Sequence, residues 1–169
     1  DTLQVLLEVL ERTGRYNPGI IALAGGMFRH GVVHHLEAPQ LPLLDPADES
    51  VADLRRADFV VYDGGLVTRA AVERVGLPRD DFFLVFDDLE YAMRVEEAGM
   101  TLVVVERNSV DRGHLGSGGD GGGTSPPWRG YYQTRNHLRA ALDRRSVPLI
   151  WGWTVRNAKF FGAGLVRGD

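Results

Sequence analysis

The chain has 169 residues, 44% hydrophobic and 25% charged, which suffices for one globular domain with its own core. A formal net charge of −4 argues against a general nucleic-acid binder, and the absence of cysteine excludes a disulfide framework and a thiolate metal site. No apolar run approaches the roughly 18–20 residues that a membrane-spanning helix needs.

In chain order, Leu3, Leu6, Leu7 and Leu10 recur at helical spacing and predict a helix over 2–12, with Thr2 as N-cap and Gly14 as its stop. The apolar run 20–24 predicts a buried strand, and 25–35 a hairpin turning at His30-Gly31. Pro39, Pro42, Pro46 and several acids make 38–50 a loop. A second strand is expected over 59–62, leading into Asp63-Gly64-Gly65, and a short helix over 68–75 stopped by Gly76. The run 82–86 predicts a third strand that ends at Asp87-Asp88, followed by a helix over 89–98 closed by Gly99 and a fourth strand over 101–105. Strands alternating with helices argue for a layered α/β fold.

Residues 113–130 hold eight of the 21 glycines and too little apolar surface to order themselves, so connector, phosphate cradle and mobile lid all stay open there. A helical pattern returns over 131–142, and 151–166 reads as a final apolar, aromatic helix carrying Arg156 and Lys159. Opening on a helical pattern at Asp1, the chain reads as a piece of a longer protein. Residues 1–145 are expected to form its main body and 146–169 a C-terminal helix.

The strongest chemical signal is Phe86-Asp87-Asp88-Leu89-Glu90-Tyr91. Two carboxylates at the emergence of an expected strand lie where α/β folds gather their ligands. Asp87 with Glu90 three residues on also fits a capping box, which accounts for those two acids and leaves Asp88 unexplained. His114 could complete a divalent-metal site beside carboxylates, or be a solvated loop side chain. Tyr132, Arg135 and Asn136 share one helical face, where Arg135 could hold a diphosphate oxygen or pair with a nearby acid. His30, His34 and His35 read as solvated or structural.

Four stretches together resemble family 2 glycosyltransferases of the galactofuranosyl- and rhamnosyltransferase-like branch. They are the segment from Gly25 to Leu36; Tyr62-Asp63-Gly64-Gly65-Leu66-Val67-Thr68-Arg69; Phe82 to Tyr91 with Arg94 and Gly99; and Tyr131-Tyr132 with Arg135-Asn136. The likeness spans roughly residues 1–142. It implies an α/β, GT-A-like (Rossmann-related) mixed-sheet sandwich, incomplete here because the nucleotide-binding first half with its D-x-D motif lies outside the chain. It further implies inverting, metal-dependent transfer of a galactofuranose- or rhamnose-type sugar from a nucleotide sugar to a glycan or lipid-linked glycan, in a bacterial cell-wall setting.

On that resemblance Asp88 is the general base and Asp87 its partner. Glu90, Tyr62, Gly64 and Gly65 would contact the acceptor, and Arg135, Tyr132 and Trp128 the donor or its diphosphate. His114 would help bind a divalent cation, Mn2+ or Mg2+, completed by D-x-D carboxylates that this chain does not contain. The Gly-rich stretch would be a loop closing over both substrates. The expected place is the cytoplasm, at the inner face of the plasma membrane if residues 150–166 form an interfacial helix; packing on a further domain is the other reading of that helix. Two different functions compete: a non-catalytic carbohydrate-binding module stacking sugars on Trp128, Tyr131 and Tyr132, and a metal-dependent hydrolase built on Asp87, Asp88 and His114.

Overall fold

The computed structural model describes residues 2–29, 31–36, 38–62, 64–82, 85–106 and 127–167, with the backbone alone at 127 and 160–167. The chain is mixed α/β. Helix α1 (Thr2–Thr13) leads through a short 3-10 turn into β1 (Pro18–Ala22), then β2 (Gly25–Arg29) and β3 (Val32–Leu36). After two 3-10 turns come β4 (Leu54–Arg56), β5 (Phe59–Val60), β6 (Leu66–Val67) and α2 (Arg69–Val75). Helix α3 (Asp87–Glu97), β7 (Thr101–Val105), α4 (Pro127–Asp143) and α5 (Val147–Arg167) complete it.

The strands form two sheets. A mixed four-stranded sheet has the order β4-β7-β1-β6, in which β1 and β7 are parallel and the two outer pairings antiparallel. A three-stranded antiparallel sheet has the order β3-β2-β5. The period-two alternation of strands divides the core cleanly. Ile20, Ala22, Leu102 and Val104 face one side, with Phe59, Phe86, Tyr91 and Val95. Ile21, Val103 and Val105 face the other, with Leu6 and Val9 of α1 and Leu54 of β4. The central pair β1 and β7 is therefore covered on both faces. Each buried Leu, Ile or Val contributes about 1.5–3 kcal/mol relative to an exposed one.

Most local signals act as their chemistry predicts. The Thr68 hydroxyl accepts the Ala71 N–H at 3.2 Å and caps α2, while Gly76 ends it at φ 79°. The hairpin of β2 and β3 turns at Gly31, φ 74°, where a side chain would overlap the Pro148 carbonyl at the start of α5. A Cβ on Gly152 would in turn overlap Gly31, so the two glycines allow α5 to lie directly on the hairpin. Along α4, α5 is tied by Trp153 Nε1 donating to the Thr134 carbonyl at 3.0 Å.

The strand expected over 82–86 is a correction. Phe82, Val85 and Phe86 lie outside any strand, and Val85 and Phe86 both adopt left-handed backbone, φ 66° and 77°. Such residues cannot continue a pleated ladder, and each costs about 1–2 kcal/mol; for β-branched Val85 the conformation is exceptional. What holds the turn is α4. The Asn136 side-chain amide donates to the Val85 carbonyl at 2.9 Å. The His137 ring, itself 1% exposed, stacks on the Phe86 ring at 4.8 Å with an 18° tilt. One residue earlier on the helix, Arg135 donates to the Asp81 carbonyl at 2.9 Å and to Asn136 Oδ1 at 2.8 Å. Three consecutive residues of α4 thus clamp the approach to α3.

Asn136→Ala is expected to lower unfolding stability by about 1–3 kcal/mol, the cost of leaving a part-buried carbonyl without its donor. Chemical denaturation of the variant beside wild type measures it.

Candidate active site at the start of helix α3

With Phe86 in left-handed backbone as its N-cap, α3 begins at Asp87 rather than two residues later, and both aspartates sit in its first turn. The helix dipole and free N–H groups of that turn favour negative charge. Asp88 Oδ1 accepts the Leu89 N–H at 2.8 Å. Against that stabilisation stand burial and, next, the charge of Asp87; together they push the Asp88 carboxyl up to about 6. A carboxylate in this range is ionised near neutral pH and takes a proton more readily than an ordinary aspartate.

The third member is Tyr62, carried by the turn after β5. Gly65 donates its N–H to the Tyr62 carbonyl at 2.9 Å, and Gly64 holds φ 70°, where a Cβ would meet Leu23 at 2.9 Å. The Tyr62 ring lies edge-on to Tyr91 at 6.1 Å. Its hydroxyl is buried and has no hydrogen-bond partner among the described residues. Burial, then the charges of Asp87 and Asp88, hold that phenol far above its ordinary range, so it stays a donor. A buried hydroxyl without a partner is uncommon in folded proteins and marks a place where a ligand oxygen can be received.

Of the residues singled out from sequence, Tyr62, Asp87 and Asp88 are thus brought together, with Gly64 and Gly65 forming the turn that presents Tyr62. Glu90 is a correction. It is 2% exposed and points inward, bound by Arg94 at 3.0 Å and Arg144 at 3.2 Å. Arg94 also donates to the carbonyls of Val75 and Leu77, and Arg144 reaches Glu97 at 2.7 Å. Glu90 therefore joins α3 to α4 and to the end of α2 rather than facing an acceptor. The capping box fails for the same reason: the N-cap is Phe86, which has no side-chain acceptor, and Glu90 is turned away. Arg135 is half-buried and its contacts go to Asp81 and Asn136, an anchoring role. Trp128 and Tyr131 stand exposed on α4, and the half-buried Tyr132 packs edge-on to Tyr131 at 5.3 Å. His34 and His35 are exposed on β3; His114, His30 and the Gly-rich stretch lie outside the described residues.

Sequence reasoning passed over His137 and Arg144. Neither carries a motif signal: one is known by the ring it stacks on, the other by the buried acid it neutralises. Asp87 and Asp88 offer oxygens to a divalent cation, but among the described residues no group of three His, Asp or Glu side chains forms a metal site.

The position of Glu90 has a measurable consequence. Glu90→Gln leaves the part-exposed Arg94 and Arg144 facing a neutral group while each keeps its other partners, which is expected to cost about 1–3 kcal/mol of stability. Thermal denaturation should show the loss, while Glu90→Gln protein that remains folded should keep its affinity for any ligand of the Asp88 site.

No family model, curated protein or solved structure matches this chain, so the geometry around Asp88 is what a functional reading of it has to stand on.

Proposed function

We propose that this chain is the acceptor-side part of an inverting, GT-A-type glycosyltransferase that moves a galactofuranose- or rhamnose-type sugar from a nucleotide sugar to a glycan or lipid-linked glycan. The observation that carries the reading is Asp88: a carboxyl raised to about 6, next to a second carboxylate, at a helix start held by a strained turn. Strain of this kind is kept where positioning matters. The resemblance of four separated motifs to family 2 glycosyltransferases supplies the reaction class.

In this reaction the acceptor hydroxyl oxygen forms a bond to the anomeric carbon from the face opposite the leaving group. The bond from that carbon to the donor's phosphate oxygen breaks, and the nucleoside diphosphate departs with the electron pair. The hydroxyl proton passes to Asp88. Burial, and then the charge of Asp87, keep that proton affinity high, and the Tyr62 hydroxyl orients the acceptor by donating to one of its oxygens. On the same resemblance the divalent cation would be held by His114 and by carboxylates outside this chain, so Mn2+ or Mg2+ belongs in the assay.

The exposed Trp128 and Tyr131 favour a second reading, a sugar-binding surface without catalysis. One variant separates the two. With UDP-galactofuranose or dTDP-rhamnose and a glycan acceptor, Asp88→Asn is expected to lower kcat of the full-length protein by about 10²–10⁴-fold. Wild-type kcat/KM is expected to rise with pH through about 6 as Asp88 ionises. Unchanged function in Asp88→Asn would favour the binding surface, and donor consumption without acceptor would favour a hydrolase.

The same substitution has an opposite effect on stability. The folded chain holds the Asp88 proton up to about pH 6, above the ordinary carboxylate range of the unfolded chain. Its contribution is therefore fully present in acid and lost as pH rises through about 6. At pH 7 Asp88→Asn is expected to be more stable than wild type by up to about 3 kcal/mol, measured as a raised Tm.

A further inference from the structure

The two C-terminal helices differ from the rest of the chain in charge. Residues 127–167 hold eight of the 19 Lys and Arg residues and, of the 23 acids, only Asp143. Asp143 is already bound by Arg79 at 2.7 Å and Arg139 at 3.4 Å. The rest of the chain therefore carries the whole negative excess.

The same helices expose apolar side chains where they meet. Within ten residues of sequence, Leu142 is 57% exposed, Val147 75% and Trp151 59%, with Ile150 beside them. Arg145 is exposed in the turn between the helices, next to this patch in sequence, and Lys159 is exposed about two turns beyond Trp151 along α5. On α4, at 3.6 residues per turn, Trp128, Tyr131, Leu138 and Leu142 fall within about 80° of one another. A groove of about 620 Å³ runs along this face, lined by Tyr131, Leu138 and Leu142 together with Arg135 and Arg139. The inner face of α4 is the one that carries Asn136 and His137.

Exposed aliphatic groups, aromatic rings and the exposed cations Arg145 and Lys159 on one helical pair match a surface with an apolar interior and an anionic skin. A purely apolar protein partner would have no use for the cation excess, whereas an anionic bilayer uses both features. Among the described residues no helix is long and apolar enough to cross a membrane, so the contact lies in the membrane plane. The acidic remainder of the chain would be repelled by the same surface, which fixes the orientation of docking.

We propose that the turn-proximal ends of α4 and α5 dock on an anionic phospholipid bilayer, with Leu142, Val147, Ile150 and Trp151 in the headgroup boundary and Arg145 and Lys159 among the phosphates. This moves the contact expected along 150–166 to the junction of the two helices. It does not depend on the transferase reading, because none of these side chains belongs to the Asp88 site.

The test is co-sedimentation of the full chain with vesicles of phosphatidylcholine alone and of phosphatidylcholine mixed with phosphatidylglycerol. Wild type is expected to partition onto the mixed vesicles and to be released by salt. Val147→Glu/Trp151→Glu and Arg145→Glu/Lys159→Glu are each expected to weaken partitioning by about tenfold or more. Circular dichroism checks the fold of each variant, and the second pair leaves the apolar patch intact should the first pair misfold. Failure of folded wild type to bind mixed vesicles overturns the proposal, as does equal binding by folded variants. So does self-association, seen by sedimentation velocity and abolished by Val147→Glu/Trp151→Glu, in a chain that ignores vesicles.

Discussion

The hydrogen bond from Asn136 to the Val85 carbonyl is the contact on which the candidate site depends. Two consecutive non-glycine residues in left-handed backbone do not persist without help. The help comes from α4, through that amide, through the His137 ring on Phe86, and through Arg135 on Asp81. His137 can do this because burial, and then the charge of Arg156, lower its basicity to about 4, leaving a neutral ring to stack. Helix α3 starts directly after the turn, at Asp87, so that both carboxylates sit in its first turn, close enough to Tyr62 for their charges to raise its phenol.

Once the turn is set, α3 is fixed along its length by different means. Its apolar side, with Leu89, Ala92 and Val95, packs into the core beneath β1 and β7. Its polar side is held by Glu90 between two arginines, one from its own next turn and one from the end of α4. An ion triad in the interior stabilises little by itself, but it specifies how two helices register. Helix α4 therefore fixes α3 at both ends of its first turn, which gives Asp88 a reproducible position and a shielded environment. The resulting proton affinity costs the fold stability at neutral pH, the relation expected where a site is built for chemistry.

Much of this architecture is legible in the sequence. The continuous apolar run of β7, the Thr68 cap, the Gly31 turn and the Leu periodicity of α1 are local signals, and each acts through its own neighbours. Illegible elements depend on partners distant in sequence. The segment 82–86 is as apolar as a strand, and what prevents a ladder is an amide some fifty residues later. The very short β4 and β6 carry too few residues for a periodic signal and exist because β7 and β1 have free edges to pair. At the site, Asp87 and Asp88 stand out as paired acids, and Tyr62 through the turn it precedes. Glu90 has the same residue type and neighbourhood as a ligand-facing acid, and only the positions of Arg94 and Arg144 show that it faces the interior.

The most direct test is a titration of the Asp88 carboxyl by carbon-13 NMR in wild type and in Asn136→Ala. The account predicts a midpoint of about 6 in wild type and a fall toward the ordinary carboxylate range when the turn loses its amide, since α3 would then start without its enclosure. An ordinary midpoint in wild type, or the same raised midpoint in both proteins, would contradict the claim that α4 builds this site.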